Sequence, residues 1–353
     1  MSNWEKNVRK VVPYVPGEQP NKERMIKLNT NENPYPPAPG VKKVLEDFQI
    51  DRLRLYPDPV IGKLVNAIAD NYGVKKEQVF VGVGSDDVLA MIFMTFFNAE
   101  APILFPDITY SFYDVWADML RIPYVRIPLD ENFCIQPEDY KQENGGIIFP
   151  NPNAPTGELL GLEQVEEIIK ANPDVCVVVD EAYVDFGGES ALPLIEKYDN
   201  VIVVQTFSKS RSMAGSRIGF AISNEKIIKY LNDVKYSFNS YTMDALTIEL
   251  GTAAIADKAY FEMTKEKIIA TREWTKEELR KLGFRFGDSK SNFIFASHET
   301  IPAVELFEVL RAADIYVRYF KKPERINNYL RISIGTQEEM EEFIAFLKKY
   351  IYK

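Results

Sequence analysis

Runs of apolar residues alternate with amphipathic segments along the first two thirds of the chain. The runs at residues 175–179 and 201–204 are rich in valine, which predicts strands buried on both faces of a sheet. The segments at residues 62–72 and 162–171 place apolar side chains three and four positions apart, which predicts helices that cover the sheet. Because strands and helices alternate between residues 78 and 220, we expect βαβ units and a mostly parallel sheet.

The pattern differs on either side of this α/β region. The first forty residues are dense in proline, which predicts an extended arm rather than a long helix. After residue 224 several helices come in succession and shorter strands follow, which predicts a smaller α+β unit. We therefore predict an N-terminal arm that includes part of the small domain, a large α/β domain and a small C-terminal α+β domain, with the bounds 1–40, 41–235 and 236–353.

Charge and composition narrow the possible partners. The 353 residues carry a formal net charge of −10, which disfavours a nucleic acid or an anionic membrane as the main partner. No stretch approaches about 18 uninterrupted apolar residues, and the N-terminus lacks an apolar signal core. The only cysteines, Cys134 and Cys176, fit a reducing cytoplasm. The single histidine, His298, excludes a multi-histidine metal site, and we interpret it as a surface residue.

A loop after the predicted strand at 201–204 places Lys209 among hydroxyl groups and arginines. A lysine at the carboxyl end of a buried strand lies where open α/β sheets bind ligands, and it can form a Schiff base with a carbonyl cofactor. Ser208 and Arg217 could hold an anionic group beside it. The alternative interpretation is a solvated basic loop, since lysine and arginine are usually exposed.

Other strand ends carry further polar groups. Asp180 follows the strand at 175–179, and a carboxylate at this edge needs a cationic partner. The turn at Gly84 precedes residues that can cap a helix, so its backbone amides could approach an anion; alone it could equally be an ordinary strand-to-helix turn. A dinucleotide fingerprint would require a third glycine at position 87, which is Asp87. Tyr110 lies in an aromatic turn and could stack on a planar ring or pack on the sheet.

Together these groups meet the needs of pyridoxal 5′-phosphate. Lys209 could hold the cofactor covalently, and Asp180 could keep its pyridine nitrogen protonated. Hydroxyl groups, Arg217 and the amides at the start of a helix could bind the phosphate. The combination is more specific than any one of its parts.

At this point the chain resembles a known family. Ordered motifs along nearly the whole chain are similar to those of the fold-type I aminotransferases, specifically the histidinol-phosphate aminotransferases. The resemblance implies a fold-type I α/β architecture, with a mostly parallel seven-stranded sheet in a large cofactor-binding domain and a smaller α+β domain. The motifs are Leu28-Asn29-Thr30-Asn31-Glu32-Asn33-Pro34, Leu55-Tyr56-Pro57-Asp58, Asn153-Ala154-Pro155-Thr156-Gly157, Asp180-Glu181-Ala182-Tyr183 and Ser208-Lys209.

The resemblance also implies roles for individual residues. The implied catalytic residues are Lys209, Asp180 and Tyr183. Substrate binding is implied for Tyr14, Asn31, Arg318 and Arg331, with Arg318 on the substrate phosphate. Cofactor binding is implied for Tyr56 of the neighbouring subunit in a homodimer and, within one chain, for Gly84, Ser85, Asp86, Tyr110, Asn153, Asp180, Tyr183, Thr206, Ser208, Lys209 and Arg217.

One residue departs from the family pattern. Many members have asparagine immediately before the Pro-Thr-Gly motif, where this chain has Ala154. The hydrogen bond to the cofactor's ring hydroxyl would then come from Asn153 or from Tyr183 alone.

The implied reaction is transfer of the amino group from L-histidinol phosphate to 2-oxoglutarate, a step of histidine biosynthesis with ping-pong kinetics. The products would be imidazole acetol phosphate and L-glutamate. Within the same fold, an aromatic amino acid aminotransferase and a threonine-phosphate decarboxylase remain as alternatives. A non-catalytic pyridoxal phosphate-fold protein is a further alternative, although such a protein would be expected to lose Lys209 or Asp180.

Overall fold

The computed structural model describes residues 3–352, which form two sheets covered by helices. The strands, in chain order, are β1 (Ile26–Leu28), β2 (Val79–Gly82), β3 (Ile103–Pro106), β4 (Tyr124–Ile127), β5 (Ile147–Pro150), β6 (Val177–Asp180), β7 (Val201–Thr206), β8 (Gly219–Ile222), β9 (Phe284–Phe286), β10 (Phe293–His298), β11 (Ile315–Tyr319) and β12 (Leu330–Ser333). The α-helices are α1 (Pro39–Asp47), α2 (Gly62–Tyr72), α3 (Ser85–Phe96), α4 (Tyr113–Leu120), α5 (Leu162–Ala171), α6 (Glu225–Phe238), α7 (Ala245–Ala256), α8 (Lys258–Lys281), α9 (Ala303–Ala312) and α10 (Gln337–Ile351).

The larger sheet has seven strands in the order β2-β8-β7-β6-β5-β3-β4. Only β8 runs against the others, because the chain returns directly from β7 through the lysine loop without a crossover helix. Adjacent residues of its central strands face opposite core clusters: Val177 and Val179 lie in one, and Val178 lies in the other. Helices therefore cover both faces, as the valine-rich runs predict.

This topology determines where the site forms. Strands β6 and β7 are parallel neighbours, with Asp180 opposite Val204 in the register. Their carboxyl ends therefore lie side by side, and the residues after them, including Lys209, share one edge of the sheet.

The smaller sheet has five strands in the order β1-β11-β12-β10-β9. Strand β1 comes from the N-terminal arm and pairs in parallel with β11, so the arm is fixed at the edge of this sheet. Arg318 on β11 lies directly opposite Arg331 on β12 in an antiparallel register. The sheet thus brings two arginines together that are distant from the lysine loop in sequence.

The predicted helices at 62–72 and 162–171 and the mostly parallel seven-stranded sheet are confirmed. The interpretation of His298 as a surface residue is wrong. Its side chain is buried, its Nε2 lies 2.8 Å from the carbonyl of Leu282, and its Nδ1 accepts from the amides of Thr300 and Ile301, so it closes a turn. The domain boundary at residue 235 stays a prediction; it falls inside α6, and the following helix, α7, packs against α1 and α2.

Within residues 3–352, no helix is long and apolar enough to cross a membrane.

Candidate active site

A cavity of about 180 Å³ opens at the carboxyl edge of the large sheet. Its wall combines residues from several strand ends with two residues of the arm. The lining residues are Thr30, Glu32, Ser85, Asp86, Tyr110, Pro150, Ala154, Asp180, Ala182, Tyr183, Thr206, Ser208, Lys209, Ala214 and Arg217. Residues that are distant in sequence therefore meet in one site.

The Lys209 side chain lies in this cavity. Its Nζ donates a hydrogen bond to the Thr30 carbonyl, at 3.3 Å, and lies 5.6 Å from the centroid of the Tyr183 ring. The backbone around the lysine is fixed by Asn33, whose amide donates to the carbonyls of Lys209 and Ser210. The amine is thus positioned by the arm from one side and by the sheet from the other.

Asp180 supplies a buried negative charge on the floor of the cavity. Its Oδ2 accepts from the hydroxyl of Tyr113, at 2.9 Å, and its Oδ1 accepts from the amide of Ala182. Burial raises the pKa of the Asp180 carboxyl to about 6, although both hydrogen bonds act in the opposite direction. None of the ion pairs found within residues 3–352 includes Asp180, so a protonated ring nitrogen would supply the cation that the buried carboxylate needs.

Tyr183 and Tyr110 line the cavity with their hydroxyl groups already oriented. Tyr183 accepts a hydrogen bond from Asn31 Nδ2 at 2.9 Å. Tyr110 donates to Asp86 at 2.7 Å, and burial followed by the nearby Asp86 charge raises its pKa. Both side chains lie on the cavity wall, where they can contact a planar ring.

The phosphate end of the predicted site is formed by two loops. Gly84 has a φ of +87°, and no side chain of residues 3–352 caps α3 there, so the first amides of the helix remain available. A Cβ atom at Gly84 would lie 2.4 Å from Nη2 of Arg217, which shows how closely the turn approaches the guanidinium. Arg217 itself pairs with Asp86 at 3.3 Å and donates to Ser208 Oγ at 3.4 Å. The amide of Ser208 donates to Thr206 Oγ1 at 3.1 Å.

Asn153 does not line the cavity. Its Nδ2 donates to the Ile108 carbonyl and to Thr156 Oγ1, and its Oδ1 accepts from Thr109, so every polar atom of the amide holds the loop together. Ala154 lines the cavity instead. Of the two donors considered for the ring hydroxyl, Tyr183 is the one on the cavity wall.

The two arginines of the small sheet have no carboxylate partner within residues 3–352. Arg331 donates to the Asn29 carbonyl at 3.1 Å, but its buried Nε has no hydrogen-bond partner in this part of the chain. Burial lowers the pKa of Arg331, and Arg318 opposite acts in the same direction. A pair of guanidinium groups with an unused donor is suited to bind a phosphate or carboxylate.

The remaining predicted residues lie outside the cavity wall. The Tyr14 ring stacks on Phe112 with centroids 4.2 Å apart, and its hydroxyl group lies near Arg331 and Tyr110. The Tyr56 side chain is 83% exposed and contacts the ring of Tyr241 rather than the cavity of its own chain.

Three residues of the site were not singled out from the sequence. Tyr113 lies three residues after Tyr110 at the start of α4, and no local pattern in the sequence indicates its hydrogen bond to Asp180. Thr30 and Glu32 flank Asn31, for which the resemblance implies substrate binding, but the motif gives no role to these two neighbours.

The fold and the site together define an enzyme of the aminotransferase class, with a lysine and an aspartate at adjacent strand ends and a glycine turn, a serine and an arginine beside them. The sequence model described as "Aminotransferase class I and II" matches residues 23–347. The histidinol-phosphate aminotransferase of Lactococcus lactis subsp. cremoris is 52% identical over 349 residues, covering 99% of this chain and 98% of the relative. That of Brachyspira hyodysenteriae is 53% identical over 346 residues, covering 98% and 97%.

Solved structures have the same fold. The histidinol-phosphate aminotransferase of Clostridium acetobutylicum superposes with a TM-score of 0.86 at 24% identity, covering 93% of this chain and 99% of that one. That of Sinorhizobium meliloti, solved in complex with pyridoxal 5′-phosphate, gives a TM-score of 0.84 at 24% identity, covering 93% and 91%. The chain belongs to the aminotransferase class I and II family and, within it, to the histidinol-phosphate aminotransferases. The family and enzyme class predicted from the motifs are confirmed.

Proposed function

We propose that the protein uses pyridoxal 5′-phosphate to transfer the amino group of L-histidinol phosphate to 2-oxoglutarate. The products would be imidazole acetol phosphate and L-glutamate, and the enzyme would act in histidine biosynthesis in the cytoplasm. The observation that carries the substrate assignment is the arginine pair beside the lysine cavity, because Arg331 Nε is buried without a partner within residues 3–352. An anionic group on the substrate would satisfy it.

The residues of the cavity fit the cofactor. When bound, pyridoxal 5′-phosphate supplies an aldehyde that joins an amine and a protonated ring that withdraws electrons from the adjacent carbon. Ser85, Ser208 and Arg217 would bind its phosphate at the start of α3, and Tyr110 would lie against its ring. Gly84, Asp86 and Thr206 would support this end of the cofactor through the contacts described above.

Three side chains would do the chemical work. Lys209 Nζ would hold the cofactor and, when free, remove the proton from the carbon that carries the substrate's amino group. The Asp180 carboxylate would keep a proton on the ring nitrogen, and Tyr113 and Ala182 orient it for this task. The Tyr183 hydroxyl, oriented by Asn31, would contact the ring hydroxyl.

Arg318 and Arg331 would bind the phosphate of the substrate, with Tyr14 closing over the same end. Phosphate takes two parallel hydrogen bonds from a guanidinium, and two facing arginines suit its charge. This preference for a phosphorylated substrate favours L-histidinol phosphate over an aromatic amino acid.

Half-reaction spectra test the substrate assignment. L-Histidinol phosphate, L-phenylalanine and L-threonine phosphate are each added to the holoenzyme without 2-oxoglutarate, and loss of the cofactor's visible absorbance is followed. We expect rapid loss with L-histidinol phosphate. Loss with phenylalanine alone would overturn the proposal.

The role of Lys209 is tested separately. Borohydride reduction followed by peptide mass spectrometry should find the cofactor's mass on Lys209, and Lys209→Ala should abolish multiple turnover. Lys226→Ala, a substitution on α6 away from the cavity, is the control. Continued turnover by Lys209→Ala would contradict the assignment.

We also propose that the enzyme is a homodimer in which Tyr56 reaches the partner's cofactor. Tyr56 is largely exposed and contacts Tyr241. Exposed apolar side chains in the two segments around them include Leu45, Ile50, Leu53, Leu55, Val60, Tyr236 and Phe238. So much exposed apolar surface is typical of a protein interface.

A further inference from the structure

Glu32 is the one carboxylate of the cavity to which the cofactor gives no role. Three carboxylates line the wall: Asp180, Asp86 and Glu32. Asp180 is assigned to the ring nitrogen, and Asp86 pairs with Arg217 and Tyr110. Glu32 comes from the arm, and its hydrogen bonds involve neither Arg217 nor Tyr110.

The Glu32 carboxylate is held in one orientation by its neighbours on the arm. Thr30 Oγ1 donates to its Oε2 at 2.7 Å, and Lys27 Nζ donates to the same oxygen. Partial burial opposes ionisation, but these two hydrogen bonds outweigh it, and the pKa of the Glu32 carboxyl lies below its ordinary value. Within residues 3–352 both hydrogen bonds of this carboxylate end on Oε2, so Oε1 is left to accept a donor from a ligand.

The arm orders three chemical groups along the site. The Asn29 carbonyl accepts from the Arg331 guanidinium, and the Thr30 carbonyl accepts from Lys209 Nζ. Glu32 follows two residues later. The arm therefore passes an anion-binding group, then the reacting amine, then a carboxylate.

The proposed substrate has its groups in the same order. L-Histidinol phosphate carries a phosphate at one end, the amino-bearing carbon in the middle and an imidazole ring at the other end. With the phosphate on the arginines and the amino carbon at Lys209, the imidazole N–H would lie on the Glu32 side of the cavity.

We propose that Glu32 determines specificity by accepting a hydrogen bond from the imidazole N–H of the substrate. The inference rests on the proposed function and identifies the residue that would recognise the imidazole ring of the substrate. A phenyl ring of the same shape has no donor, so Glu32 Oε1 would gain no hydrogen bond from it. Glu32 would thus separate L-histidinol phosphate from aromatic analogues, which the arginine pair alone cannot do when both carry a phosphate.

The test compares two substrates that differ only in the ring: L-histidinol phosphate and L-phenylalaninol phosphate. Wild type, Glu32→Ala and Glu32→Gln are measured with both, and Glu23→Gln, an exposed glutamate of the same arm, is the control. In Glu32→Ala we expect kcat/KM for L-histidinol phosphate to fall about tenfold, mainly through KM, because a hydrogen bond to a charged group is lost. The value for L-phenylalaninol phosphate should stay the same or rise.

The two substrates also separate a structural role from a specific one. An equal loss with both substrates would overturn the inference, because damage to the arm does not depend on the ring. Glu32→Gln has the same shape and keeps an acceptor oxygen but no charge, so we expect a smaller loss, about threefold, confined to L-histidinol phosphate. This variant carries the same comparison if the alanine variant does not fold.

The results that would refute the proposed function differ from those that would refute the role of Glu32. A wild-type enzyme that does not convert L-histidinol phosphate would refute the substrate assignment itself. A wild-type enzyme that converts it, with unchanged ring preference in both Glu32 variants, would refute only the role of Glu32.

Discussion

The buried carboxylate of Asp180, to which we give a catalytic role, opposes the stability of the cofactor-free protein. Its carboxylate is 4% exposed, accepts two hydrogen bonds and has no cation in ion-pair distance within residues 3–352. Burial raises its pKa from 3.8 to about 6. The folded protein therefore binds a proton more tightly than the unfolded chain does, and stability falls as pH rises between these two values.

We predict that Asp180→Asn removes this pH dependence. The unfolding free energy of cofactor-free wild type should fall between about pH 4 and pH 6 by roughly 2–3 kcal/mol from this group, a loss the variant does not share. Denaturant unfolding of both proteins at pH 4.5, 5.5 and 7 measures the difference, with the exposed Asp70→Asn as control. A constant difference across this range would contradict the assignment.

Holoenzyme activity of Asp180→Asn should fall at least a hundredfold because the ring nitrogen loses its counter-charge.

A second prediction for single residues concerns the pair of Arg318 and Arg331. Arg318→Lys keeps the charge but loses the planar fork, so KM for L-histidinol phosphate should rise about tenfold or more while kcat changes less. Arg311→Lys is the matched control, since its guanidinium pairs with Glu18 at the surface. An equal effect in the two variants would argue against a phosphate role for Arg318.

At the scale of elements, the turn between β2 and α3 depends on a backbone that only glycine adopts easily. Gly84 has a φ of +87°, and a side chain there would collide with Arg217. We predict that Gly84→Ala weakens binding of pyridoxal 5′-phosphate at least tenfold and lowers stability by about 1–2 kcal/mol. Cofactor titration by fluorescence and thermal unfolding measure the two effects.

Gly215→Ala is the comparison for this substitution, because a Cβ atom there would meet no atom of the described part of the chain within 4 Å. Gly215→Ala should leave both the affinity for pyridoxal 5′-phosphate and the thermal stability close to those of the wild type. If both variants bind the cofactor normally, the turn does not form the phosphate cradle.

The elements also show which predictions the sequence supports. The valine-rich runs predict β6 and β7, and parallel strands end at the same edge of a sheet, so the pattern places Asp180 and Lys209 at one edge. The pairing of β6 with β7 in the structure makes their strand ends neighbours. The orientation of the Asn153 side chain cannot be predicted from the sequence pattern. Its position in the motif is compatible with the cavity, but the packing of the loop against Thr109 and Ile108 turns its amide away.

At the scale of the whole molecule, the exposed Tyr56 predicts shared active sites. In a dimer of Lys209→Ala and Tyr56→Ala chains, the site that keeps Lys209 would receive an intact Tyr56 from the Lys209→Ala partner. We predict that mixing the inactive Lys209→Ala variant with the impaired Tyr56→Ala variant, with exchange of subunits, restores up to a quarter of wild-type activity, since half the dimers are mixed and each has one complete site. Activity that never exceeds the sum of the separate variants would contradict a site shared between subunits.

The sequence by itself determined the alternating α/β order, the strand-end lysine and aspartate and the family, because these depend on local hydrophobic periodicity and on motifs that are contiguous in the chain. Only the tertiary structure decided which side chains share the cavity. Pairing of β1 with β11 brings the arm across the site, which puts Thr30 against Lys209 and Glu32 on the wall. Those contacts join residues nearly 180 positions apart, and no local pattern encodes them, because they arise from the packing of two sheets and the arm between them.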